Sequence, residues 1–158
     1  MHQGASQYWL SSGRRGGERV VAAGSRAGGS VAQRAIKVLV VDDDRDTVLS
    51  LRLLLSTEGY EALGVYDAQS AFEAVRDFQP DAVLLDIGMP QMTGYDIARQ
   101  LRVTHGKDLL LIAVTAWNKF SDRIAARIAG FDHHVSKPYQ SEEILGLLRP
   151  LAESLGRL

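Results

Sequence analysis

The sequence contains no cysteine and no long apolar run. Because cysteine is absent, the chain has neither a disulfide framework nor a thiolate metal site. Its apolar runs fall far short of the roughly 20 residues that a helix needs to cross a bilayer, so we expect no membrane interaction. An excess of positive charge is also missing, since the formal net charge is −1. We therefore expect no binding to nucleic acid, whose protein partners carry basic patches.

The length and composition indicate one globular domain preceded by a tail. The chain has 158 residues, of which 46% are hydrophobic and 23% are charged, as in ordinary proteins with a single core. Residues 1–34 differ, because they contain seven glycines, five arginines and only one glutamate. Such a segment buries too little apolar surface to offset the entropy of ordering it. We predict a flexible Gly/Arg-rich tail at 1–34, which is a linker or an over-extended start, and one domain at 35–156.

From residue 35 onward, short apolar runs alternate with apolar residues at helical spacing. Five strands are predicted, at residues 36–41, 61–66, 82–86, 109–115 and 132–136. The helices between and after them have apolar faces marked by Val48, Leu51 and Leu55, by Ala71, Val75 and Phe78, by Tyr95, Ala98 and Leu101, by Ile124 and Ile128, and by Ile144, Leu148, Leu151 and Leu155. Strict alternation predicts an α/β fold, a doubly wound parallel sheet with helices on both faces.

Polar side chains stand at the ends of four predicted strands. They are Asp42, Asp43 and Asp44 after the first strand, Asp86 after the third, Thr115 at the end of the fourth, and Lys137 after the fifth. In a parallel sheet these ends share one edge. If they form one site, the first and third strands are neighbours, and right-handed crossovers then give the strand order 2-1-3-4-5. Gly64 is consistent with an edge position for the second strand.

The chemistry of this set favours phosphoryl transfer. Several carboxylates close together need a counter-charge, which Lys137 and a divalent cation both provide. With oxygen ligands only, Mg²⁺ is the natural ion. A carboxylate is an established phosphoryl acceptor, and Thr115 and Lys137 supply a hydroxyl donor and a point charge for the phosphoryl oxygens. The sequence therefore indicates that Asp86 accepts a phosphoryl group.

Five short motifs carry a resemblance to a known family. They are Val40-Val41-Asp42-Asp43, Leu85-Asp86-Ile87-Gly88-Met89-Pro90, Met92-Thr93-Gly94, Val114-Thr115-Ala116 and Ser136-Lys137-Pro138. On these motifs the sequence, over about residues 36–155, is similar to receiver domains of bacterial two-component response regulators, which have a flavodoxin-like (CheY-like) three-layer αβα fold. Phe131-Asp132-His133-His134 before Lys137 is most similar to receivers of hybrid sensor histidine kinases.

The resemblance implies a role for each polar residue at the carboxyl edge of the predicted sheet. It makes Asp86 the phosphoacceptor and a metal ligand, with Asp43 binding Mg²⁺ directly, Asp42 binding it through water, and Gly88 contributing its backbone carbonyl. Thr115 and Lys137 would sense the phosphoryl group, and the domain would catalyse its own phosphorylation and dephosphorylation. The bond between Lys137 and Pro138 is expected to be cis. Asp44 is expected to cap the first helix instead, with Asp46 favouring its dipole.

Two residues depart from the usual pattern of the family. His134 occupies the place of an aromatic switch residue that moves together with Thr115, and Trp117 lies at a position that affects the lifetime of the phosphoryl group. Trp117 and Phe120 form either a partner-docking patch or loop side chains folded onto the sheet edge. A metal site made by His133 and His134 is not expected, because consecutive residues of a strand point to opposite faces.

The implied partners are a sensor histidine kinase or a histidine phosphotransfer protein, and a downstream protein bound through helix 4, strand 5 and helix 5. A cytoplasmic protein is expected, either a stand-alone receiver or one from a larger kinase.

A flavodoxin-like FMN protein would need a phosphate loop where this chain has three aspartates. A haloacid-dehalogenase-type phosphatase would need an acid in place of Gly88. A degenerate receiver, which binds partners without being phosphorylated, is the remaining alternative.

Overall fold

The computed structural model describes residues 34–155. The strands are β1 Lys37–Val41, β2 Glu61–Val65, β3 Ala82–Leu85, β4 Leu110–Thr115 and β5 His133–Ser136. The helices are α1 Arg45–Thr57, α2 Ala68–Phe78, α3 Gly94–His105, α4 Phe120–Ala129 and α5 Ser141–Ser154, with a 3₁₀ turn at Gly106–Asp108. No helix in this part of the chain is long and apolar enough to span a membrane. The tail predicted at 1–34 lies outside the described residues except for Arg34, whose guanidinium pairs with Asp81 at 2.9 Å.

The five strands form one parallel sheet in the order β2-β1-β3-β4-β5. This confirms the doubly wound α/β fold and the predicted order 2-1-3-4-5. Val41 of β1 pairs with Leu85 of β3, and Thr115 of β4 pairs with Ser136 of β5. Because each pair stands at the carboxyl end of its strands, the polar residues that follow are delivered to the same edge.

The sheet separates two apolar cores, which explains why the strands read as nearly continuous apolar runs. All four residues of β3 are buried. Along β1, Leu39 and Val41 face the core that α2, α3 and α4 cover. Val38 and Val40 face the core under α1 and α5. Each central strand therefore has an apolar neighbour on both sides, and polar residues appear only where the strand ends.

β2 lies at the edge of the sheet, as its glycine indicated. A Cβ on Gly64 would lie 2.9 Å from Cδ of Arg52 and would collide with Val48, both in α1. The absence of a side chain thus allows α1 to pack directly on the edge strand. We conclude that Gly64 serves helix packing rather than a bulge.

The apolar spacing indicated the wrong face in one helix, α4, and most of the buried face in another, α5. In α4, Ile124 and Ile128 are 44% and 76% exposed, whereas Ala126 and Ala129 are buried. In α5 the predicted face is confirmed at Ile144 and Leu148, which are buried, and at Leu151, which packs against the same core, whereas Leu155 lies beyond the helix with 41% exposure. The helices themselves are confirmed, but the prediction of the α4 core face was wrong, because small alanines bring that side of the helix close to the sheet.

Arg102 of α3 ties together segments that the sequence did not connect. Its guanidinium donates to the carbonyls of Gly106 at 2.7 Å, Leu109 at 2.6 Å and Gly130 at 2.8 Å. It also lies 2.6 Å from the carboxylate of Asp132. These bonds satisfy carbonyls in the turns before β4 and β5, so one side chain fixes how both strands enter the sheet.

Candidate functional site

Three carboxylates converge at the carboxyl edge of the sheet. Ligand oxygens of Asp42, Asp43 and Asp86 all lie within 4.8 Å of one another. Asp42 and Asp86 are buried, with 3% and 9% exposure, while Asp43 is exposed. Pairing of β1 with β3 places the first two beside the third, as predicted. This all-oxygen donor set suits a hard divalent cation such as Mg²⁺.

Lys137 enters the same cluster from the end of β5. Its Nζ lies 2.7 Å from Oδ2 of Asp42 and 3.8 Å from Oδ2 of Asp86. The bond between Lys137 and Pro138 is cis, as expected, and the backbone N–H of Lys137 donates to the carbonyl of Thr115 at 2.9 Å. The ammonium therefore lies between two carboxylates that come from different strands.

The protonation behaviour of Asp42 and Lys137 follows from this crowding. Burial raises the pKa of Asp42 above its ordinary value, and the nearby charge of Asp86 adds to the rise, although the bonds from Lys137 and the Asp44 N–H oppose it. Burial alone would lower the pKa of Lys137, but its hydrogen bond to Asp42 and the charges of Asp86 and Asp42 outweigh burial and raise it. Lys137 is therefore a permanent cation in the site.

Thr115 is fully buried at the end of β4. Its hydroxyl oxygen accepts the backbone N–H of Trp117 at 3.1 Å. Because a hydroxyl both accepts and donates, this bond leaves its proton available for an oxygen placed in the site. The donor role of Thr115 toward a phosphoryl oxygen stays a prediction.

The loop after Asp86 is held against the start of α3. The N–H of Gly88 donates to Oδ1 of Asp86 at 3.3 Å, and the N–H of Gly94 donates to the carbonyl of Ile87 at 2.8 Å. A Cβ on Gly94 would lie 2.7 Å from Cα of Ile87 and would collide with the carbonyl oxygen of Asp86. Gly94 therefore lets the first turn of α3 close over the acceptor loop. The motif contained this glycine, but its spacing did not reveal the contact.

Trp117 and His134, the two unusual residues, meet at this site. The indole of Trp117 lies against Gly88, since a Cβ there would be 2.7 Å from the indole Nε1. Its ring also faces that of Tyr95, with centroids 6.1 Å apart. His134 Nε2 lies 2.9 Å from the Trp117 carbonyl oxygen. The sequence singled out both residues as departures from the family pattern that leave the details of readout open, but it did not predict that they form a hydrogen bond with each other.

Asp44 occupies the predicted N-cap position of α1, but its side chain does not form the capping hydrogen bond that was expected. The carboxylate instead accepts the hydroxyl of Thr47 at 2.6 Å, and this bond lowers its pKa below the ordinary value. Its own backbone N–H donates to Oδ1 of Asp42 at 2.9 Å. Asp44 therefore orients the buried Asp42 through its backbone.

Comparisons with known proteins agree with this geometry. A family model described as the response regulator receiver domain matches residues 38–149. Response regulator MprA of Mycolicibacterium vanbaalenii is 41% identical over 116 residues, which cover 73% of this chain and 50% of MprA. MprA of Mycobacterium tuberculosis is 40% identical over 117 residues, which cover 74% of this chain and 50% of that protein. The chain thus spans about half the length of these curated relatives.

Solved structures show the same fold. A CheY-like receiver domain from Methanospirillum hungatei has a TM-score of 0.72 and 22% identity, covering 77% of this chain and 97% of that one. A response regulator from Chloroflexus aurantiacus has a TM-score of 0.68 and 28% identity, covering 78% of this chain and 100% of that one. Because the family match spans most of the described residues, the chain belongs to the response regulator receiver domain family of two-component systems.

Proposed function

We propose that the domain accepts a phosphoryl group on Asp86 from a phospho-histidine of a sensor kinase or a histidine phosphotransfer protein. The observation that carries this proposal is the convergence of Asp42, Asp43 and Asp86 within 4.8 Å, with Lys137 Nζ 3.8 Å from Asp86. Phosphoryl transfer needs positioning and charge neutralisation more than covalent machinery. This cluster supplies both around one carboxylate.

In the transfer, a carboxylate oxygen of Asp86 bonds to phosphorus while the bond from phosphorus to the donor imidazole nitrogen breaks. The donor imidazole, which carries a proton on its other nitrogen, keeps the electron pair of the broken bond and leaves as a neutral histidine, and Asp86 becomes an aspartyl phosphate. Lys137 lies where its charge stabilises phosphoryl oxygens, and the hydroxyl proton of Thr115 is available to one of them. Asp42, Asp43, Asp86 and the carbonyl of Gly88 would hold Mg²⁺, which neutralises the negative charge that the phosphoryl group brings.

A second candidate is a module that binds partners without phosphorylation. The observation that favours it is the exposed apolar row of α4, where Phe120, Ile124 and Ile128 are 79%, 44% and 76% exposed. These side chains repeat at every fourth residue and so form one stripe. The same stripe also serves the first proposal, since we infer that the downstream protein docks on α4, β5 and α5.

Covalent labelling separates the two candidates. The protein is incubated with acetyl phosphate and Mg²⁺, with and without a chelator, and the labelled peptide is identified by mass spectrometry after hydroxylamine treatment. The proposal is supported if the peptide that contains Asp86 carries a phosphate that hydroxylamine removes, and if this labelling disappears when the chelator is present. If the folded protein takes up no phosphate under these conditions, the phosphoacceptor function is contradicted. The second candidate, a module that binds partners without phosphorylation, would then stand.

The metal ligands are tested separately. Asp43→Ala is expected to weaken Mg²⁺ binding by at least about tenfold, since even outer-shell partners of a metal contribute that much. Asp42→Ala should cause a smaller loss, because its contact is expected to pass through water. Isothermal titration calorimetry measures both affinities. Asp44→Ala is the matched control, because this neighbouring carboxylate is engaged by Thr47; equal Mg²⁺ affinity in the wild type and Asp43→Ala would disprove the site.

A further inference from the structure

Trp117 is held in place through both polar groups of its backbone. Its N–H donates to the hydroxyl of Thr115 at 3.1 Å, and its carbonyl oxygen lies 2.9 Å from Nε2 of His134. Because a carbonyl only accepts hydrogen bonds, Nε2 of His134 carries the proton and donates. The side chain of Trp117 then lies against Gly88, two residues after the phosphoacceptor.

The other nitrogen of the His134 ring restricts its protonation state. Nδ1 is buried and has no hydrogen-bond partner among residues 34–155. A second proton on the ring would therefore be placed where nothing in the described chain accepts it. The charged groups that face the ring come from α4, where Arg123 opposes protonation and Asp122 favours it. The contact with Trp117 thus requires a proton on Nε2, and the missing acceptor for Nδ1 favours the neutral imidazole.

We propose that His134 is a positioning residue for the Asp86 site, which acts by holding the indole of Trp117 against Gly88 and so limits the access of water to the aspartyl phosphate. This inference rests on the proposed function. The step that it slows is hydrolysis, in which a water oxygen bonds to phosphorus and the bond between phosphorus and the Asp86 oxygen breaks. The products are the Asp86 carboxylate and inorganic phosphate. When the bond from His134 is lost, the carbonyl of Trp117 loses its anchor while its N–H stays bonded to Thr115, and the indole can then move away from Gly88.

The neighbouring histidine provides a matched control. His133 is exposed on the opposite face of β5, and so His133→Leu changes the same strand without touching Trp117. In His134→Leu the donor is removed, whereas His134→Gln keeps an N–H donor at the end of the side chain and does not titrate. The three variants share a Trp9→Phe background, so that Trp117 is the only tryptophan, since the chain contains two.

The experiment measures loss of phosphate from protein labelled with acetyl phosphate, after removal of the donor. We expect His134→Leu to lose phosphate roughly fivefold to tenfold faster than the parent, the factor associated with one hydrogen bond. His134→Gln should restore most of the lifetime, and His133→Leu should match the parent. In unlabelled protein, the emission of Trp117 should shift to the red only in His134→Leu, because the indole becomes more exposed.

A pH series adds a readout that a purely structural role would not change. Burial, the largest cause, lowers the pKa of His134 below its ordinary value, and it outweighs the hydrogen bond to the Trp117 carbonyl, which raises the pKa, while Arg123 lowers it further. As the pH falls below about 6.5 toward this lower pKa, the ring gains its second proton and should leave the buried position. The parent is then expected to approach the rate of His134→Leu, while the ratio of the parent rate to the His134→Gln rate rises.

Each outcome leads to a definite conclusion. Equal phosphate loss from the parent, His134→Leu and His133→Leu would overturn the inference while leaving the phosphoacceptor intact. If the parent takes up no phosphate, the proposed function fails, and the emission of Trp117 still tests whether His134 holds the indole. If His134→Leu does not fold, the pH series of the parent against His134→Gln decides the question, and a constant ratio of rates would disprove the role of His134.

Discussion

Asp86→Asn is expected to take up no acid-labile phosphate from acetyl phosphate or a phospho-histidine donor in the presence of Mg²⁺. The amide keeps the shape of the carboxylate but is not a nucleophile for phosphorus. The hydrogen bond from the Gly88 N–H to Oδ1 of Asp86, 3.3 Å long, is one that an amide oxygen can also accept. The variant should therefore fold like the wild type, which circular dichroism and thermal melting check.

The control for this experiment is a carboxylate at the opposite edge of the sheet. Asp108 is exposed and lies in the 3₁₀ turn immediately before β4, whereas Asp86 follows the carboxyl end of β3. Asp108→Asn removes the same charge and should label like the wild type. Undiminished labelling of Asp86→Asn would mean that another side chain accepts the phosphoryl group.

Gly94→Ala should destabilise the domain strongly and reduce phosphorylation at the same time. The added Cβ would lie 2.7 Å from Cα of Ile87 and 3.0 Å from the carbonyl carbon of Asp86. Both are backbone atoms, which cannot rotate away as a side chain does. We expect a loss of about 3 kcal/mol in the free energy of unfolding, the upper part of the usual range for overpacking. Urea denaturation measures the loss of stability. Labelling with acetyl phosphate measures the reduced phosphorylation that displacement of the Asp86 loop should cause.

A second glycine separates this steric effect from the general effect of alanine in a helix. Gly146 lies inside α5, and nothing stands within 4 Å of the place where its Cβ would be. Gly146→Ala should therefore raise the free energy of unfolding by about 0.5–1 kcal/mol, because alanine has the higher helix propensity. If Gly94→Ala and Gly146→Ala changed the free energy of unfolding equally, close packing of α3 on the Asp86 loop would not explain why position 94 needs glycine.

The alternation of strands and helices determined the fold in advance of any structure. Buried parallel strands are apolar on both faces and end abruptly at polar residues, and this pattern is local in the chain. Because parallel strands share one carboxyl edge, the polar strand ends also predicted the cluster of Asp42, Asp86, Thr115 and Lys137. The order of the strands followed from requiring that these ends meet.

Helix faces were harder to predict, because apolar spacing does not show which side of a helix approaches the sheet. In α4 the close side carries Ala126 and Ala129, while Ile124 and Ile128 face outward. Small side chains permit the shortest distance between helix and sheet, so the larger apolar residues were left on the surface. Spacing alone weighted the isoleucines more heavily and therefore selected the wrong face.

Only the tertiary structure decided the long-range contacts that loop residues make. His134 bonds to Trp117 across 17 positions of the chain, and Arg102 reaches Gly130 across 28. No periodicity links such residues, because their separation depends on how loops of β4 and β5 cross the edge of the sheet. The sequence by itself thus determined which residues stand at the edge, through strand period and turn chemistry. Packing between loops decided how the indole of Trp117 came to lie beside Gly88, two residues after Asp86.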